Sequence, residues 1–232
     1  MSRLRASVAL NIVLGAALAG ILALRAYNKA RVPAVDYFTA RHLEARRDLY
    51  ERLTLPPGAV VLVGDSLTER GEWRELCGRA DVYNRGISGD TVAGVRERLD
   101  PILRSKPRAL GLMIGINDLE AGRAPAEVAT GIEGVLTEVR SRAPETRVVV
   151  FSVLPMRNVG RGVGVATEKV NELDAAIASA CERAGARFVD LRPELTDPDG
   201  ALAAGFTLDG VHLTGAGYER WAAAVSSSLL LK

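Results

Sequence analysis

Apolar positions in this chain follow two rhythms. Short apolar runs, the first of them rich in β-branched residues, recur at Ala59–Val63, Ala109–Ile114, Arg147–Val153 and Arg187–Leu191, with a shorter one at Val82–Tyr83. Such runs are typical of strands buried on both faces of a parallel sheet. Between them apolar residues fall three and four apart: Val92, Val95, Leu99 and Leu103; Val128, Ile132, Val135 and Val139 behind Pro125; Val170, Leu173, Ile177, Cys181 and Ala184; and Tyr218, Trp221, Ala222 and Val225. That spacing predicts helices with one apolar face. Alternation of the two patterns predicts βαβ units, which close with right-handed crossovers into a parallel sheet covered by helices on both sides. Ligands in open sheets of this kind bind at the carboxyl ends of the strands.

The N-terminal pattern is different. Ala6 to Leu24 holds no charged residue, and these 19 positions would span about 28 Å as a helix, close to the hydrocarbon thickness of a bilayer. The run is apolar on every face, which argues against a core helix. Arg3 and Arg5 precede it and Ala17-Leu18-Ala19 has the composition of a signal cleavage site, but cleavage there would leave Ile21-Leu22-Ala23-Leu24 on the mature end. The expectation is an uncleaved anchor over residues 6–24, with an extracytoplasmic catalytic domain. Secretion after cleavage is the alternative. Arg25, Lys29 and Arg31 blunt the charge signal for orientation. Residues 1–30 are thus assigned to an anchor or signal segment and 31–232 to one catalytic domain. The latter opens with an amphipathic helix from Val35 to Leu53, with Phe38, His42, Ala45, Leu49 and Leu53 as its apolar stripe, ended by Pro56-Pro57-Gly58.

Composition narrows the class. Apolar residues are 48% and charged residues 25%, as in a globular protein rather than a disordered one. The 30 basic and 28 acidic residues leave a net charge of +2, and aromatics are 5%, so a basic nucleic-acid surface is not expected. Cys77 and Cys181 are far apart and show neither metal-ligand nor disulfide-framework spacing; Cys181, on an apolar stripe, reads as a buried thiol.

Four polar clusters fall just past predicted strands or in the final loop. They are Gly64-Asp65-Ser66-Leu67, Asn84-Arg85-Gly86, Gly115-Ile116-Asn117-Asp118, and Asp209-Gly210-Val211-His212. The topology brings them to one sheet edge. A serine hydroxyl needs a base to become a nucleophile, and an imidazole held by a carboxylate is a suitable one. Ser66, His212 and Asp209 are the candidates, with a helix cap as the plainer reading of Asp209 and His212. The negative charge that acyl transfer places on a carbonyl oxygen needs donors already in position. The backbone N–H groups of Ser66 and Gly86 and the Asn117 amide are assigned that task. Asp65 and Asp118 are expected to support the site through hydrogen bonds. His42, on its apolar stripe, is expected to be packed. Gly160-Arg161-Gly162-Val163-Gly164 lacks the ending of a phosphate-binding loop and reads as a flexible loop over the site. Arg157 and Asn158 stand where they could touch substrate, and surface solvation explains them equally well.

From about Ala59 to Tyr218 the chain resembles the SGNH hydrolases, or GDSL esterases and lipases, whose four naming residues stand here as Ser66, Gly86, Asn117 and His212. The stretch from Asn84 to Thr91 is similar to the platelet-activating-factor-acetylhydrolase-like branch. The resemblance implies a flavodoxin-like three-layer α/β/α sandwich with a roughly five-stranded parallel sheet, here preceded by the N-terminal hydrophobic helix. It also implies no metal or organic cofactor, and hydrolysis of acyl esters of lipids or of acetyl groups on glycans. Three alternatives stay open: an O-acyltransferase that uses a glycan hydroxyl in place of water; a catalytically silent, membrane-tethered binding module; and, ranked last because no suitable phosphate loop is visible, a nucleotide- or flavin-binding protein on the same fold.

Overall fold

The structure, a computed structural model, describes residues 34–160 and 164–230. Two compact units divide the chain, Met1–Arg41 and His42–Lys232, and of the first only the start of helix α1 is described. The expected anchor at residues 6–24 lies outside the described residues. Among those described, no helix is long and apolar enough to cross a membrane.

The elements run α1 (Ala34–Arg52), β1 (Val60–Gly64), α2 (Ser66–Glu69), α3 (Trp73–Cys77), β2 (Val82–Gly86), α4 (Val92–Glu97), α5 (Leu99–Arg104), β3 (Ala109–Met113), α6 (Ile116–Glu120), α7 (Pro125–Arg142), β4 (Arg147–Phe151), α8 (Thr167–Ala184), β5 (Arg187–Val189), α9 (Arg192–Leu195) and α10 (Gly215–Leu229). All strands pair in parallel in the order β2-β1-β3-β4-β5. That order reverses between β1 and β3, and the crevice past the carboxyl ends at such a switch point is where open α/β sheets bind ligands.

Side chains alternate across each strand, so β1 sends Val61 and Val63 into one core and Val60 and Leu62 into the other. The first core packs against α4, α5, α7 and α8. The second is built around Trp73 and Trp221, whose rings meet edge to face at 4.7 Å.

Three local expectations are corrected. β2 continues through Asn84, Arg85 and Gly86, which pair with Leu62, Val63 and Gly64; backbone pairing at this sheet edge does not need apolar side chains. The helix expected from Val92 to Leu103 breaks at Arg98, because Pro101 has no N–H to give Glu97 and the Arg98 N–H turns instead to the Val95 carbonyl. Leu49 of α1 and Leu53 just past its end are 39% and 45% exposed while Tyr50 is buried. The face it packs inward is that of His42, Arg46, Arg47 and Tyr50, since the surface opposite is lined by carboxylates and a carbonyl.

Candidate active site

At the end of β1 the chain must turn in a crowded place. A Cβ on Gly64 would lie 2.2 Å from the Met113 carbonyl oxygen and 2.3 Å from Thr68 Oγ1, so only glycine fits. Asp65 then caps α2 by accepting the Leu67 N–H at 3.0 Å. Its other oxygen is buried without a hydrogen-bond partner, and burial pushes the carboxyl up to about 7. A helix this short cannot hold itself. Its carbonyls are fixed from outside: Thr68 by Trp73 Nε1 at 2.8 Å, Leu67 by the Tyr218 hydroxyl at 2.8 Å, and Thr68, Glu69 and Gly71 together by the Asn84 amide at 2.9 to 3.1 Å. Ser66, first residue of α2, is thereby held at the helix N-terminus.

His212 arrives from the loop before α10. Asp209 Oδ1 accepts the N–H groups of Val211 at 3.0 Å and His212 at 2.8 Å, and Oδ2 lies 2.7 Å from His212 Nδ1. Burial opposes ionisation of Asp209, but the His212 ring and the two N–H groups outweigh it and hold the carboxyl well below the usual carboxylate range. The loop is pinned at Gly210, where φ is +87°, its carbonyl accepts the Arg157 N–H at 2.8 Å, and a Cβ would sit 2.1 Å from the Arg157 carbonyl oxygen. Thr214, not Asp209, caps α10. His212 Nε2 stands 2.9 Å from Ser66 Oγ. One chain of contacts therefore runs Asp209, His212, Ser66.

Asn117 lies in the first turn of α6, past β3, and its amide donates to the Asp90 carbonyl at 2.8 Å, leaving one N–H for a ligand. Behind it Asp118 accepts the Val92 N–H at 3.0 Å; burial raises its carboxyl, and Val92 and Arg123 partly offset this.

Gly86 does not fit the donor role expected of it, since its N–H is given to Asn84 Oδ1 at 2.8 Å. What it supplies is room: a Cβ there would lie 2.2 Å from the Glu69 nitrogen. A candidate donor that sequence reasoning missed is Gly89. It occupies the third position of a tight turn closed by the Asp90 N–H on the Ile87 carbonyl, with φ at +79°. Among the described residues neither the Gly89 nor the Ser66 N–H has a hydrogen-bond partner. Gly89 sits between Ser88, bonded to Glu69 of α2, and Asp90, bonded to Asn117. Its signal was available, because Ser-Gly is a turn dipeptide.

A cleft of about 680 Å³ opens beside the Asp209 loop, with Met156, Arg157, Asn158, Val211 and Glu120 along it. The Arg157 guanidinium is already taken by Asp197 and the Leu202 carbonyl. Residues 161–163 of the expected loop over the site lie outside the described residues. His42 is not packed in a core; its Nε2 meets the Glu69 carboxylate at 2.9 Å. Both cysteines are free, and burial pushes the Cys181 thiol up to about 11.

The profile of the GDSL-like lipase/acylhydrolase family matches residues 62–220. Over 167 residues the chain is 30% identical to platelet-activating factor acetylhydrolase IB subunit alpha2 of Rattus norvegicus, covering 69% of this chain and 71% of the relative. Over 177 residues it is 31% identical to subunit alpha1 of Bos taurus, covering 74% and 75%. The solved structure of a GDSL-like lipase from Bacteroides thetaiotaomicron superposes with a TM-score of 0.68 at 24% identity, covering 80% of this chain and 95% of that one; it shares the fold.

Proposed function

The chain belongs to the GDSL-like lipase/acylhydrolase family, the SGNH hydrolases, and is a carboxylic ester hydrolase, and from that premise we propose that it releases a short acyl group, an acetyl group or the acyl chain of a lysophospholipid through an acyl-enzyme on Ser66. Ser66 Oγ attacks the ester carbonyl carbon as its proton passes to His212 Nε2. Asp209, ionised, supports the imidazolium and keeps the ring in one tautomer. The charge arriving on the carbonyl oxygen is met by the N–H groups of Ser66 and Gly89 and the second N–H of the Asn117 amide. His212 then protonates the leaving alcohol, and a water molecule repeats the sequence to free the acid.

The observation that carries this reading is the unbroken chain from Asp209 Oδ2 to His212 Nδ1 at 2.7 Å and from His212 Nε2 to Ser66 Oγ at 2.9 Å. The preference for small acyl groups is supported by relatives named acetylhydrolases. The apolar run at residues 6–24 supports a membrane-tethered placement. A fluorophosphonate probe tests the chemistry: it labels the wild-type chain at Ser66 and not the Ser66→Ala variant. Screening acetyl, longer acyl, lysophospholipid and acetylated-sugar esters then sets the substrate. Absence of labelling with full retention of fold would overturn the assignment.

A further inference from the structure

Glu69 closes α2, three residues after Ser66, and its carboxylate meets groups from two other parts of the fold. Oε2 accepts the Ser88 N–H at 2.7 Å and the Ser88 hydroxyl at 2.5 Å. Oε1 lies 2.8 Å from Arg46 Nε, and His42 Nε2 approaches both oxygens at 2.9 to 3.0 Å. The side chain is only 13% exposed. Two further residues of α1 reach the same turn: the Tyr50 hydroxyl donates to the Gly86 carbonyl at 3.1 Å, and the Arg47 guanidinium stands 3.4 Å from Asp90 Oδ1. The turn from Gly86 to Asp90 is thus held at three points, with Gly89 between them. α1 lies outside the stretch matched by the family profile.

We propose that Glu69 is a positioning residue that fixes the Gly89 N–H relative to Ser66, and that His42 and Arg46 of α1 hold Glu69 in that geometry. The inference rests on the reading above in which Gly89 serves the oxyanion. A carboxylate suits the place because it accepts only and is charged: Ser88 donates to it through both its N–H and its hydroxyl, and the Arg46 guanidinium lies against it as a positive charge. An amide would set N–H against N–H on one side.

Full-length Glu69→Gln tests this by two readouts. Amide hydrogen exchange in the peptide spanning residues 86–91 accelerates, while exchange around His212 stays as in the wild type. On a p-nitrophenyl acetate assay kcat falls about tenfold to a hundredfold, below the cost of deleting an oxyanion donor outright, and KM changes by less than about twofold because ground-state binding is untouched. Arg46→Ala moves both readouts in the same direction and Arg46→Lys restores them in part. Ser88→Ala, which deletes only the hydroxyl bond, gives a smaller loss with unchanged thermal stability and covers the case of a Glu69 variant that does not fold. Unaltered exchange at 86–91 overturns the proposal, as does a rise in KM with kcat kept. The exchange result stands whether or not the wild type hydrolyses the ester or labels at Ser66, so a failure of the functional reading is seen separately.

Discussion

Ser66 Oγ and His212 Nε2 meet at 2.9 Å although 146 residues separate them. The ring's other nitrogen is committed to Asp209, whose carboxyl stays ionised far into acid because His212 and two backbone N–H groups outweigh its burial. The acid limb of kcat/KM therefore carries no inflection from Asp209. Asp209→Asn keeps an oxygen for the backbone N–H groups but can present N–H to the ring, and it lowers kcat by about 10²- to 10⁴-fold, the range expected when acid–base transfer is lost. Wild-type kcat in the variant would contradict the arrangement.

Asn117 donates one N–H to the Asp90 carbonyl, and in the proposed mechanism the other meets the developing oxyanion. Asn117→Ala lowers kcat about 10²- to 10³-fold and spares KM, since the ground-state carbonyl needs no such donor. Steady-state kinetics on a short-chain ester decide it; a KM effect at constant kcat would move Asn117 to substrate binding.

The two glycines of the β2 turn separate by phenotype. Gly86→Ala drives a Cβ against the Glu69 backbone and shows as loss of thermal stability. Gly89→Ala asks alanine to keep φ near +79°, a strain of roughly 1 kcal/mol, and shows mainly in kcat. Equal losses of stability with kcat kept in both would remove Gly89 from the oxyanion site.

Much of this was legible before any coordinates. The apolar runs located all five strands, β2 three residues short, and strand ends fix where Ser66 and Asn117 stand. Gly86 and Gly89 could not be ranked that way, because both lie in one eight-residue stretch and only the hydrogen bond from Gly86 to Asn84 shows that its N–H is engaged. The inward face of α1 was misread for a related reason. Helical periodicity finds apolar stripes, whereas α1 packs on Glu69, Asp90 and the Gly86 carbonyl, so arginines and a tyrosine hydroxyl form its buried side. The break at Arg98 did have a visible sign in Pro101.

Away from the site, Asp174 of α8 accepts the Val153 N–H at 2.8 Å, while its second oxygen is buried with Arg192 no nearer than 3.5 Å. Burial pushes its carboxyl from the ordinary 3.8 to about 7. The folded chain then holds this proton where the unfolded chain has released it, so stability falls as pH rises from about 4 to about 7. Asp174→Asn removes that slope. The melting temperature of the variant relative to wild type rises between about pH 5 and about pH 8, and parallel curves would sink the assignment.

Arg98 is buried at the carboxyl ends of β1 and β2, where its guanidinium donates to Asp90 Oδ2 at 2.7 Å, the Arg85 carbonyl at 2.7 Å and the Gly64 carbonyl at 3.1 Å. Planar forked donors match this set and a lysine ammonium does not. Arg98→Ala leaves the Asp90 carboxylate buried, with the Thr91 N–H and a longer contact to the half-exposed Arg47 at 3.4 Å to answer it, and costs about 3 to 5 kcal/mol in urea unfolding. Because Asp90 also carries the carbonyl that holds Asn117, the folded fraction of the variant loses kcat as well. Arg98→Ala combined with Asp90→Asn is less destabilised than the sum of the two single changes, since the second removes the charge that the first strands. Strict additivity would show that the pair does not act as one unit.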